Sequence, residues 1–421
     1  MATTDQTSNS QGVDPDQDPT PAMDEQSSTA PGLPLNSHVS AQSIDRKGLD
    51  AHEYDIDPDQ SASEVQDVIT CDVCIIGGGA SGTYAAIRLC DMGKSVVVVE
   101  KQGRLGGPTE TYFDPATKET AEIGVVVWHD LPVVRDYFAR FDIPLAKASF
   151  ATPGVSTIHA DLRSGRIVDD YRSASPNAAL ATYGAQLARY PYLEAGFDIP
   201  YPVSPDLLLP FGEFVEKHGI DAVMHTVFGY AQGIGDLLRV PTIYVMKLFG
   251  LDVLRNLRVG FLATERHYNG EIYEKARLKL AGDVLLNSEV VKVDRETEEH
   301  ATVLVKSPSG PKLVKASTLL ITIPPKPKNL HGFDLDDTER SLFSHFTNAT
   351  YYSALIRDSG IPDTVRIRNT GADTAYNLPI LPGAYYFAPT GIPGLHHVKY
   401  GSPVEMSDEQ VKADMLRRLS G

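Results

Sequence analysis

The sequence predicts an α/β protein in which a parallel, nucleotide-binding sheet carries a second domain of antiparallel sheet plus helices. Three observations predict it. A short branched apolar run, Val73 to Ile76, leads straight into glycines. A helical stretch and an all-valine strand, Val96 to Val99, follow it. Much later the chain becomes a series of short Tyr- and Val-rich segments parted by Gly and Pro. Apolar runs of four residues between turn signals suit strands buried on both faces, and short segments with turn residues between them suit hairpins.

The first strand stops at Gly77, Gly79 and Gly82, spaced G-x-G-x-x-G. The first glycine permits a tight turn, the second lets backbone approach a pyrophosphate, and the third lets the following helix pack on the strand. Ser81 to Met92 reads as that helix, with Gly93 at its C-cap, and its free N-terminal amides face the phosphates. Glu100 closes the second strand with a carboxylate suited to ribose hydroxyls, which argues against a 2'-phosphate. Strand, turn, helix, strand and acid fall in register, so the expectation is a Rossmann-type dinucleotide site. The chain then repeats the device in "GRLGGPT", where Gly103, Gly106 and Gly107 surround Arg104. A second glycine turn suits FAD, whose isoalloxazine must also pass backbone, with the guanidinium offsetting pyrophosphate charge.

The stretch Asp72 to Gly107 resembles the two-domain flavoproteins of the amine-oxidase type. The segments "GGGASGTYAAIRL", "DMGKSVVVVEK", "GGPTETYFDP", "VVRDYFARFDIPL", "YVMKLFG" and "VKYGSPVEMSDEQV" together are similar to the beta-cyclopiazonate dehydrogenase family of fungal flavin oxidoreductases, from about residue 70 to the end. The resemblance implies adenine and pyrophosphate contacts from Gly77, Gly79, Ala80, Ser81 and Gly82, a ribose contact from Glu100, and Arg104 and Gly107 bordering pyrophosphate and flavin. It also implies that the backbone of Val290 meets the adenine and that Leu319 to Pro325 returns to the cofactor domain.

Composition bounds the rest. Residues 1–69 hold fourteen Asp or Glu against two Lys or Arg, a composition that cannot bury enough apolar surface to order itself; an acidic disordered tail is expected there. Residues 70–144 and 271–330 then make a discontinuous FAD-binding domain, and 145–270 and 331–421 a substrate domain. The 41 acidic and 36 basic residues beyond the tail give no basic face for nucleic acid. No run of eighteen apolar residues and no secretory leader is visible, so a cytoplasmic protein with no membrane partner is expected. Three cysteines do not make a disulfide framework. Cys71 and Cys74 flank a strand and are expected on opposite faces, unpaired.

Past Gly107, "TYFDPATKETAEIGVVVW" reads as two strands around a polar turn, Asp114 to Glu119; the resemblance to amine oxidases implies that its "IG" stretch lies beside the flavin, with Trp128 and His129 bordering the isoalloxazine, although a structural hydrogen bond is favoured for the histidine. Leu131 to Phe141 has helical spacing. Residues 145–270 read as a helical cap, Thr302 to Lys306 and Lys312 to Ala316 as a hairpin, and the segments after Pro325 as an antiparallel substrate sheet.

A flavin performs the electron transfer itself, so no triad or metal cluster is needed, and the scattered histidines show no ligand spacing. Tyr351, Tyr352, Tyr376, Tyr385 and Tyr386 are candidates for an aromatic pocket. Many amine oxidases carry a lysine near flavin N5 on the first strand of this sheet; here that stretch, "TNATYYSALI", has none, which argues against a simple primary-amine oxidase. The chain also stops at "SDEQVKADMLRRLSG", where the family continues, so the C-terminal part of the fold is expected to be missing. The function expected is an FAD-dependent two-electron oxidation of a small alkaloid-type molecule, by hydride transfer to flavin. The hydride would come from a carbon beside nitrogen or from a phenolic or indolic C–H. The alternative is a truncated, non-catalytic nucleotide-binding remnant.

Overall fold

The structure is a computed structural model, and it describes residues 65, 67–150, 153–172, 175–194, 196–295 and 299–420. The expected tail therefore lies almost wholly outside the described residues. Its boundary moves, however: Val65 is only 7% exposed, packed against Leu304 and Leu313, and the first strand begins at Val68. The folded body thus reaches into the segment assigned to the tail.

Two six-stranded sheets organise the molecule. In the first, Val68–Ile76 pairs in parallel with Val96–Val99 on one side and with Gly310–Ile321 on the other, and Val96–Val99 pairs in parallel with Val284–Leu285. Glu289–Asp294 and Ala301–Ser307 extend it as an antiparallel meander onto Gly310–Ile321. Val73, Ile75, Val96 and Val98 pack under the helices Ala80–Asp91, Pro132–Ala139 and Glu271–Leu280, while Cys74, Ile76, Val97 and Val99 pack with the meander. Both faces are covered, as runs of unbroken valine and isoleucine require.

The expectation for the cysteines is half right. Cys71 and Cys74 are free, but both belong to the apolar cluster on the meander side. The facing of the strand turns over at Asp72. No pair forms there between Val68–Ile76 and Gly310–Ile321, and the Asp72 and Val73 amides both donate to Ser95 O. Such an irregularity resets the two-residue alternation.

The second sheet runs Thr350–Arg357, Leu395–Ser402, Gly383–Pro389, Val365–Asn369, Ser156–Asp161, Arg166–Ile167. It departs from the expected antiparallel sheet in one respect. Ser156–Asp161, from the segment read as helical cap, joins Val365–Asn369 in parallel. One face, with Ile356, Phe387, Val398 and Tyr400, is apolar and covered by the helix Asp408–Ser420 through Val411 and Met415. The cap itself is helical: Asn177–Leu187, Phe211–His218, Met224–Tyr230, Thr242–Leu248 and Leu251–Val259 enclose a core around Tyr183, Phe211, Phe214 and Phe249. Among the described residues no helix is long and apolar enough to cross a membrane.

Candidate FAD and substrate site

The first glycine turn has the geometry its spacing requires. Gly77 has φ +104°, outside the range of ordinary side chains, and a Cβ on Gly82 would lie 1.9 Å from Gly77 O. The helix Ala80–Asp91 starts with Gly79 as N-cap and no side chain capping it, and a Cβ on Gly79 would meet nothing within 4 Å. Ala80 and Ser81, in its first turn, are exposed. An uncapped helix start facing open space leaves its amides to an anion.

The second turn closes onto the first. The Gly106 amide donates to Gly78 O at 2.8 Å, and a Cβ on Gly107, at φ +55°, would sit 3.3 Å from Gly79 Cα. Glu100 lies between them, 7% exposed, with Oε2 accepting from the Gly78 amide at 2.6 Å and Oε1 from the Gln102 amide at 2.8 Å. Each oxygen keeps a further lone pair for a ribose hydroxyl. Arg104 reaches elsewhere: it donates to Thr109 O at 3.0 Å and pairs with Glu110 at 2.8 Å, so its visible work is to brace the second turn. Val290 pairs with Val305 next to a bulge. It follows Ser288, whose amide donates to Glu100 O at 3.0 Å, so this strand starts beside Glu100.

From the second turn a continuous path leads to the substrate sheet. A Cβ on Gly124 would lie 1.7 Å from Pro108 O, so the "IG" stretch is pressed against the glycine loop. Ile123 O accepts from Lys399 Nζ at 2.8 Å and from His397 Nε2 at 2.7 Å; Lys399 Nζ also bonds Gly124 O at 2.6 Å and Ser353 Oγ at 2.6 Å. Lys399 is 3% exposed, and burial pulls its amine down to about 7, against the attraction of Glu122. Burial pushes Glu122 up to about 7, opposed by hydrogen bonds from the Asn269 amide and Thr111 and by the Lys399 charge. Burial takes His397 down to about 3, so its ring is neutral. The first strand of this sheet lacks a lysine, as read from the sequence. The strand paired with it supplies one, Lys399, opposite Ser353.

The other candidates divide. Tyr351 lies under the Lys399 ammonium at 5.6 Å from ring centroid, Tyr386 pairs with Lys399 across strands, and Tyr385 packs on Phe228 and accepts from the Gly233 amide. Tyr352 belongs to the apolar face instead, and Tyr376 sits in a turn against the cap. Trp128 packs on Phe138 in the cofactor-domain core, and His129 Nδ1 pairs with Asp252 at 2.5 Å, a structural bond. Among the described residues no group of His, Cys, Asp or Glu has the arrangement of a metal site.

The comparisons with known proteins agree with this geometry. Residues 75–141 match the family described as NAD(P)-binding Rossmann-like domain. The chain is 42% identical over 369 residues to a FAD-dependent oxidoreductase of Cochliobolus heterostrophus, covering 84% of this chain and 75% of that protein. It is 36% identical to a FAD-dependent oxidoreductase of Emericella nidulans (82% and 74% covered), and 34% identical to the beta-cyclopiazonate dehydrogenase of Aspergillus oryzae (85% and 77%). The chain belongs to this family of FAD-dependent oxidoreductases. Its fold is shared with a fatty acid isomerase from P. acnes that produces CLA (TM-score 0.63, 18% identity, 83% and 82% covered) and with putrescine oxidase bound to putrescine (TM-score 0.56, 19% identity, 84% and 82%). FAD is the family's cofactor. The paired glycine turns fit it: the space beside Gly79 is open where a side chain would block a pyrophosphate, and Gly107 packs closely against Gly79 without a side chain of its own.

Proposed function

We propose that this protein carries out a two-electron oxidation of a small, ring-containing molecule of secondary metabolism, alkaloid-type by analogy with beta-cyclopiazonate, as a cytoplasmic enzyme with no nucleic-acid or membrane partner. Gly77, Gly79, Ala80, Ser81, Gly82 and Gly107 would hold the FAD pyrophosphate, Glu100 the ribose, and the Val290 strand the adenine, with Arg104 keeping the second turn in shape. The discontinuous FAD domain and the cap-plus-sheet substrate domain are proposed with them. FAD, when bound, takes up a hydride from a substrate carbon.

The observation that carries the reading is the buried Lys399 amine at the far end of the glycine path. An amine brought near neutrality by burial can take the proton that a substrate N–H or O–H gives up as its carbon is oxidised. Ser353 Oγ, 2.6 Å from Nζ, can donate to the neutral amine and accept from the ammonium, so it serves both states. Glu122 and Lys399 titrate as a pair, each charge favouring the other.

The test follows bleaching of flavin absorption when a panel of cyclic amines, phenols and indoles is mixed with the FAD-loaded protein. The wild-type rate should rise with pH through about 7, where Lys399 loses its proton. Lys399→Met should retain FAD, lose that limb and be slower by roughly 10²- to 10⁴-fold, the range of general acid–base contributions. A limb unchanged in Lys399→Met removes Lys399 from the proton path, and a flavin that no member of the panel bleaches contradicts the proposed substrate class.

A further inference from the structure

The strand register sets five polar side chains in one row on the sheet face opposite the apolar one. His159 is paired with Arg368, Arg368 with Tyr386, Tyr386 with Lys399, and Lys399 with Ser353, across five neighbouring strands. Residues directly opposite on adjacent strands share a face. Lys399 and Arg368 are therefore two strand spacings apart, roughly 10 Å. Arg366, two residues before Arg368, shares its face and is close enough to act on its charge.

The cap roofs the Arg368 end. Tyr171 packs between His159 and His225, at 4.5 and 4.9 Å between ring centroids, and His225 Nε2 donates to Tyr376 O at 2.7 Å. Burial, then the Arg368 charge, holds His159 down to about 4, and His225 is lowered too, so both rings are neutral at pH 7. Tyr171, Tyr230 and Tyr386 all lie within reach of the Arg368 charge. Desolvation and Arg366 pull even this guanidinium downward, though an arginine stays charged throughout.

The row is partly open rather than packed away: Tyr351, Tyr386 and Arg368 each keep part of their surface accessible. Tyr351 keeps 39% of its surface accessible, yet desolvation raises its hydroxyl far above the phenol range. Tyr386 is likewise partly accessible, with its hydroxyl pushed up to about 12 by desolvation.

We infer that the substrate is an anion, a carboxylate or an acidic enol, whose negative group is bound by Arg368 while the carbon to be oxidised lies at Lys399, roughly 10 Å away along the row. An aromatic or conjugated body between them would lie on Tyr386 and under the cap tyrosines. The inference rests on the proposed active-site reading, because Lys399 marks the reacting end. Arg368 also makes contacts within the protein, and a guanidinium carries five N–H donors in all. A charged amine, by contrast, would meet Arg366 and Arg368 as like charges.

Calorimetry on the full-length protein tests this with two matched probes, biphenyl-4-carboxylate and 4-(aminomethyl)biphenyl. Because heat is read directly, the titration works whether or not FAD is loaded. FAD content is measured beforehand from the visible spectrum, which keeps a failure of the flavin reading separate. The carboxylate should bind at least tenfold tighter than the amine. Arg368→Gln should lose at least tenfold of the carboxylate affinity, and Arg368→Lys, which keeps the charge, should lose less. If Arg368→Gln fails to fold, the wild-type comparison and Arg368→Lys still decide. Equal or tighter binding of the amine, no binding of either probe, or an Arg368→Gln protein that binds the carboxylate as wild type does would overturn the inference.

Discussion

At the scale of single residues, the site depends on a few groups held by backbone. Glu100 accepts from the Gly78 and Gln102 amides, so it shapes the first glycine turn as well as meeting the ribose in the proposed complex. Glu100→Ala removes charge-assisted hydrogen bonds worth roughly 1.5–3 kcal/mol each. FAD affinity by calorimetry should fall at least tenfold, and unchanged affinity in a folded variant would take the acid away from the ribose. Glu122 makes a prediction about stability. Its folded pKa is raised by burial from 4.5 to about 7, so between those values the native state keeps a proton that the unfolded chain has released. This contribution is present below the unfolded value and fades as pH rises through about 7. Glu122→Gln cannot titrate, so its melting temperature should fall less than the wild type's between those two pH values; parallel curves would show that Glu122 is ionised throughout. The glycines and Glu100 were legible in the sequence because spacing within one βαβ unit fixes their geometry. Lys399, Glu122 and Arg368 were not. Their meaning comes from what lies opposite them on other strands, and only the alternation of His397 and Lys399 along one strand hinted that both share a face.

At the scale of elements, the two glycine turns and the strand ladder do the positioning. Gly82 lets the helix Ala80–Asp91 sit on the turn. Gly82→Ala places a methyl 1.9 Å from Gly77 O, closer than any relaxed contact, so the helix start must move away from the phosphate path. We expect FAD loss with far-UV circular dichroism largely retained, and a variant that binds FAD normally would show that the turn does not hold the pyrophosphate. The strands of the first domain could be read because each is a short apolar run next to a breaker. The second sheet could be read only in part. Ser156–Asp161 lies in a mostly helical segment of the chain, which suits a cap, yet it completes the sheet through Val365–Asn369, two hundred residues on by the pairing of Val365 with Ser156. Local pattern says that a strand exists, but register between distant strands is set by packing of the two faces. That register decides the His159–Arg368–Tyr386–Lys399–Ser353 row.

At the scale of the whole molecule, the glycine-turn sheet and the substrate sheet, both mixed, meet along the line Gly79, Gly107, Pro108, Gly124, Lys399. Each step is a close approach of backbone or a hydrogen bond, so cofactor and substrate ends are placed by one contiguous set of contacts. The chain spans about three quarters of the length of its curated relatives, and both glycine turns, Glu100 and the polar row lie within that span. The central claim is that these contacts hold FAD next to the substrate sheet. The most direct measurement is the visible absorption spectrum of the purified protein, taken before and after addition of FAD and removal of the unbound fraction. The account predicts flavin absorption that stays with the protein, is released on denaturation as free FAD, and is lost in Gly82→Ala. A protein that is colourless as purified and remains so after FAD is added would contradict it.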